Sequence, residues 1–139
     1  MRFTSGIFCL ALILIVPLGC GHRSQLARKV ISGTVTCGGE AVPSGFIRFA
    51  PIEGTSGPNT TARIVDGRYR ADNRGGVPLG KHRVEIDAQR PTGEKIEISP
   101  GDFVEKMEDI GDRQYAGSQS PLTAEVSASG PDTMDFEIP

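Results

Sequence analysis

Few side chains in this chain could do chemistry. Three cysteines supply thiols at Cys9, Cys20 and Cys37, and two histidines supply imidazoles at His22 and His82. A thiol serves as nucleophile, acyl acceptor or soft metal ligand, and an imidazole as base or ligand, but each normally needs a second group beside it. Cys37 stands in a glycine turn, Thr36 to Glu40, with no histidine close in sequence. His82 sits on the apolar side of an alternating run, where a histidine is expected to pack rather than to act as a base. Asp102, Glu105, Glu108, Asp109 and Asp112 form an acidic cluster, yet their spacing matches no calcium loop, so they read as a solvated face. No catalytic set, metal site or cofactor site is expected. The competing reading is a small-molecule or glycan-processing enzyme built on His82 and the acidic segment.

Cys20 has a different context. Arg2 and the amino terminus form a short cationic head, Ile7 to Leu18 an apolar stretch, and Gly19 supplies a small residue. This is the three-part layout of a secretory signal. Twelve helical residues rise about 18 Å, well short of a hydrocarbon core of roughly 30 Å, so cleavage is favoured over a permanent span. Pro17-Leu18-Gly19-Cys20 resembles a bacterial lipobox, with Pro17 standing where leucine is usual. The resemblance implies a signal peptide over residues 1–19, diacylglyceryl attachment to the Cys20 thiol, and cleavage just before it. Residues 20–29 then form a lipidated tether whose Arg23, Arg28 and Lys29 lie near anionic head groups. Two or three acyl chains make such attachment stable. Gly21 after the cysteine resembles the outer-membrane sorting pattern. The implied partner is a bacterial membrane, and the implied location is the outer membrane, facing periplasm or cell surface. Asn59-Thr60-Thr61 matches a glycosylation sequon that a bacterium usually leaves idle.

The remaining 30–139 is the length of one domain. A net charge of −2 with 23% charged residues leaves no basic surplus, which argues against nucleic acid as a partner. Glycine and proline make up 28 of the 139 residues, which favours a turn-rich β protein. With Cys9 removed and Cys20 acylated, Cys37 has no partner for an internal disulfide, so packing must hold the core.

The elements follow from hydrophobic periodicity. Val30 to Thr36 alternates as a strand, and Phe46 to Pro51 places Ile47 and Phe49 opposite Arg48. Thr60 to Val65 and a return through Tyr69 and Ala71 flank Asp66-Gly67, a strong two-residue hairpin signal. Lys81 to Ala88 alternates without a break, with His82, Val84, Ile86 and Ala88 on one face. Leu122 to Ala128 and Thr133 to Ile138 add two more strands. Residues 90–120 read as mostly loop, with a short strand at Lys95 to Ile98 and one or two helical turns at Phe103 to Ile110. The sum is an all-β, seven-stranded antiparallel β-sandwich.

The order of these motifs carries a resemblance. Val30 to Pro51, then Asp66-Gly67-Arg68-Tyr69, then Val77 to Ile86 look like the transthyretin-like and carboxypeptidase regulatory-like β-sandwich domains, over about Val30 to Ala88. His82 stands where an aromatic is common and Leu79 where proline is common. The closing Ser120 to Pro139 resembles the strand pair that ends many small bacterial lipoproteins of this type. The resemblance implies a non-catalytic binding or structural module. Hydroxyisourate hydrolases share that fold, but Tyr115-Ala116-Gly117-Ser118 lacks their arginine and lies far from the chain end. No metallocarboxypeptidase ligand pair is present. An envelope protein or glycan is the expected partner, met by the loops at 52–59 and 90–120 or by a sheet edge.

Overall fold

The computed structural model describes residues 26–139. They form an all-β body. The strands are β1 (Arg28–Lys29), β2 (Ile31–Cys37), β3 (Glu40–Ala41), β4 (Ser44–Pro51), β5 (Thr60–Val65), β6 (Arg68–Ala71), β7 (Val77–Pro78), β8 (Gly80–Ser99), β9 (Asp102–Ile110), β10 (Thr123–Val126) and β11 (Phe136–Ile138). Hydrogen bonding follows the order β10-β8-β4-β5-β6-β2-β11, with β9 added to β8, β3 to β2, and β1 paired with β7. The sheet curls, because Phe49 of β4 and Phe136 of β11, four strands apart on this path, have ring centroids 6.2 Å apart.

Alternation sets which side faces in. Ile47 and Phe49, Ala62 and Ile64, Tyr69 and Ala71, and Val84, Ile86 and Ala88 are all buried and form one core with Ile31, Val35 and Ile138. Local turn chemistry agrees. Asp66 and Gly67 both take positive φ, 49° and 73°, and join β5 to β6. Gly38 and Gly39 do the same between β2 and β3, where Cys37 pairs with Glu40.

Three features depart from the sequence-based expectation. First, β11 runs parallel to β2, not antiparallel. The link from Val126 to Phe136 carries the chain from one edge of the curled sheet to the other, so the last strand arrives running the same way as β2. Second, residues 28–29 are not free tether. Arg28 and Lys29 pair with β7, the Arg28 guanidinium donates to the Gly76 carbonyl at 3.0 Å, and the Lys29 ammonium meets the Gly130 carbonyl and Asp132. Both cations are spent on the body itself. Third, residues 90–110 are neither loop nor helix. β8 runs on to Ser99 and turns into β9, so the two short features expected there are one long hairpin. Phe103, Met107 and Ile110 do recur at helical spacing, but cross-strand pairing with β8 decides the conformation.

Candidate functional site: a projecting hairpin arm

The first half of β8 is held on both sides, by β4 as far as Ser44↔Gln89 and by β10 as far as Arg83↔Thr123. Beyond Gln89 its partner is β9, and the two strands leave the body as an arm. Cross-strand pairs stabilise it. Ile96 faces Val104, Lys95 faces Glu105, and ion pairs join Arg90 to Glu108 and Lys106 to Glu94 at 2.5 and 2.7 Å. At the tip, Gly101 takes φ 82° and its N–H donates to the Glu97 carboxylate at 2.9 Å. Gly93, at φ 80°, lies within the register shift between Pro91 and Lys95.

The arm exposes large apolar side chains. Phe103 is 57% exposed and Ile98 56%, and Ile96, Val104 and Met107 are also open. Pairing of Glu97 with Phe103 and of Lys95 with Glu105 puts Phe103, Glu105 and Met107 on one face with Lys95 and Glu97. Ile96 and Val104 lie on the other. A two-stranded hairpin with no covering layer is marginal in water, so this arm borrows its rigidity from the sheet it continues. Where it leaves the body, a groove of about 460 Å³ is lined by Cys37, Glu40, Pro43, Arg90, Asp109 and Pro139.

The residues singled out in the sequence are not brought together. Cys20 and His22 lie outside the described residues. His82 is fully buried, with its ring edge-on to Phe49 at 6.3 Å. Nδ1 lies 3.1 Å from the Gly80 carbonyl, which assigns the proton to that nitrogen, and Nε2 has no partner among the described residues. Burial lowers the histidine pKa and favours the neutral ring. Seven residues of strand, about 23 Å, separate it from the base of the arm.

The acidic cluster divides into separate local roles. Glu108 pairs with Arg90, Asp109 accepts from Gln89 Nε2 at 3.1 Å, and Asp112 caps the short 3-10 turn Arg113–Ala116 by accepting from the Gln114 N–H at 3.0 Å. Among the described residues no group of three or more His, Cys, Asp or Glu side chains is placed to hold a metal ion. Tyr115 packs against the core, and Thr60 is buried with its hydroxyl 3.3 Å from the Gly76 carbonyl. The Cys37 thiol is half-buried, 3.7 Å from the Pro139 carbonyl.

Sequence reasoning missed the arm. The available signal was the alternation of Lys95-Ile96-Glu97-Ile98 followed, across Pro100-Gly101, by Phe103-Val104 and Met107, with opposite charges falling into register. Comparisons with protein-family models, curated proteins and solved structures found no match to this chain. Among the described residues, no helix is long and apolar enough to cross a membrane.

Proposed function

We propose that this chain is an exported bacterial lipoprotein, anchored in the outer membrane through acyl chains on Cys20, whose β body is a non-catalytic binding or structural module. In this reading the curled sheet is a sandwich of the transthyretin-like or carboxypeptidase regulatory-like kind. The observation that carries the reading is the arm, about twenty residues spent on a projection with open apolar side chains, which suits contact with a partner better than turnover of a substrate. The burial of His82 away from the acidic side chains favours the same view over the enzyme alternative.

Geometry adds direction. Leu79 donates its N–H to Ala27, so β8 starts beside the point where the chain enters from Cys20. Twenty extended residues then carry the arm tip about 60 Å away. On a lipid anchor, the tip would point away from its membrane. Mass spectrometry of the mature amino terminus from native membranes tests the anchor. An acylated Cys20 as the first residue is expected, and retention of Met1 or an unmodified Cys20 would overturn it. Capture of an envelope protein or glycan by the arm in intact membranes tests the binding role, and turnover of a substrate abolished by His82→Ala would replace it with the enzyme.

A further inference from the structure

We propose that the arm docks on the outer sheet face of a second copy of this chain, in a reciprocal exchange that makes a two-fold dimer. The two surfaces are complementary in charge. Over residues 90–110 the arm has six carboxylates against three cations, and two of those cations are used within it, Arg90 by Glu108 and Lys106 by Glu94. Glu97 and Glu105 stand on one face with the apolar Phe103 and Met107 and with Lys95, the third cation, which lies opposite Glu105 and leaves that face net negative.

The outer face of β4, β5, β6 and β2 has the opposite character. Pairing of Phe46 with Arg63 and of Val65 with Arg68 puts these four side chains on one side of the sheet, with Arg48 and Arg70. Arg48 is held by Glu85 and Arg70 by Asp72. Arg68 has no carboxylate partner among the described residues, and Arg63 lies over the Phe46 ring, 6.0 Å from its centroid. Phe46 and Val65 are open apolar side chains on this face, Phe46 with Arg63 on one flank and Asp87 of β8 on the other. An arm of alternating apolar and acidic groups thus meets a face of alternating apolar and basic ones.

The dimensions agree. Eight residues of projecting arm extend about 26 Å, and a face of four strands is about 19 Å wide, so the arm can cross it. The arm continues β8, a strand of the same sheet, and so leads away from its own outer face toward another molecule's. One arm about 10 Å wide would cover roughly 260 Å² on each surface. Two reciprocal contacts remove about 1,000 Å², the lower end for a specific interface, whereas one contact falls well below it. Closure by exchange is therefore required, and the dissociation constant should be about micromolar.

The test uses the full chain in detergent, as an equal mixture of light and heavy-isotope copies with a photo-crosslinking residue in place of Phe103. Light-to-heavy crosslinks from the arm to residues 61–70 are expected, together with a monomer–dimer equilibrium in sedimentation. Arg63→Glu with Arg68→Glu should raise the dissociation constant at least about tenfold, and Glu97→Lys with Glu105→Lys should do the same. In the mixed dimer the unaltered arm of the first variant meets the unaltered face of the second, and the lysine arm of the second meets the glutamate face of the first. Both contacts are then attractive and the mixed dimer should form, which also shows that each variant is folded. A chain monomeric at about 100 µM, crosslinks confined to one isotope or to detergent, or no recovery in the mixture would overturn the proposal. The Cys20→Ser chain should dimerise equally well, so failure of the lipid reading leaves the dimer standing.

Discussion

Phe49 and Phe136 touch across the interior at 6.2 Å although four strand-to-strand steps separate them along the sheet. Four steps of about 4.8 Å would hold them roughly 19 Å apart in a flat sheet. Their contact therefore measures the curl, and Tyr69, 6.0 Å from Phe49 and 6.3 Å from Phe136, fills the angle between them. Phe49 is wholly buried. Phe49→Ala should cost about 3–5 kcal/mol in urea unfolding. Phe136→Ala should cost less, because Phe136 is only partly buried against the core.

Closure of the last strand rests on a close approach at Gly33. A Cβ there would stand 1.9 Å from the Met134 carbonyl oxygen, and that same oxygen accepts the Tyr69 hydroxyl at 2.7 Å. Next to it, the Asp135 carboxylate accepts from the Thr34 N–H and hydroxyl at 2.7 and 2.9 Å, which hold its pKa below the usual carboxylate range. Gly33→Ala should push residues 133–138 off β2 and expose amides there to hydrogen exchange. Tyr69→Phe keeps the backbone contact and loses one buried hydrogen bond, a cost of about 1–2 kcal/mol without release of β11. Equal protection at β11 in Gly33→Ala and the parent would refute this account.

Legibility followed burial. Where one face of a strand packs on the core, as at Phe46 to Phe49 or His82 to Ala88, alternation in the sequence states the element and its inward face directly. Asp66-Gly67 was legible because a tight hairpin demands positive φ there. The arm lacks a buried face, so its apolar residues fall on both sides and no single period dominates. Only the partner strand resolves Phe103 to Ile110, because the pairing of Phe103 with Glu97 or of Val104 with Ile96 is not stated by the residues of one strand alone. The parallel β11 was illegible for the same reason, since a run of alternating residues has no stated direction. The short β1 was hidden because Arg28 and Lys29 look like solvated tether until their carbonyl partners on distant segments are known.

His82 should make the fold sensitive to acid. Its pKa is lowered in the folded state by burial, while in the unfolded chain it returns to about 6.5. The unfolded chain therefore binds the proton first as the pH falls. Stability is intact above about pH 6.5 and declines as the pH drops from there toward the folded value, by up to about 1.4 kcal/mol per pH unit. His82→Leu, of similar volume, should flatten this slope while leaving stability at pH 8 within about 1.5 kcal/mol of the parent. Urea midpoints from pH 8 to pH 5 provide the check, and an unchanged slope in the variant would assign the acid loss to other groups.

Asp87 carries the opposite sign. Burial, then the nearby Asp109 charge, raise its pKa, against the pull of Arg48. A carboxyl whose folded pKa is raised penalises the native state at neutral pH, and the penalty is relieved as the pH falls through that value. Removing the charge while keeping the shape should relieve it permanently. Asp87→Asn is thus expected to raise the urea midpoint at pH 7 and to lose that advantage as the pH falls through the raised pKa. The effect should be a fraction of a kcal/mol, since the carboxylate keeps contact with water. Asp109→Asn, which removes the second cause and leaves the first, should produce a smaller gain. A midpoint lowered at pH 7 by Asp87→Asn would mean that attraction to Arg48 outweighs both burial and Asp109.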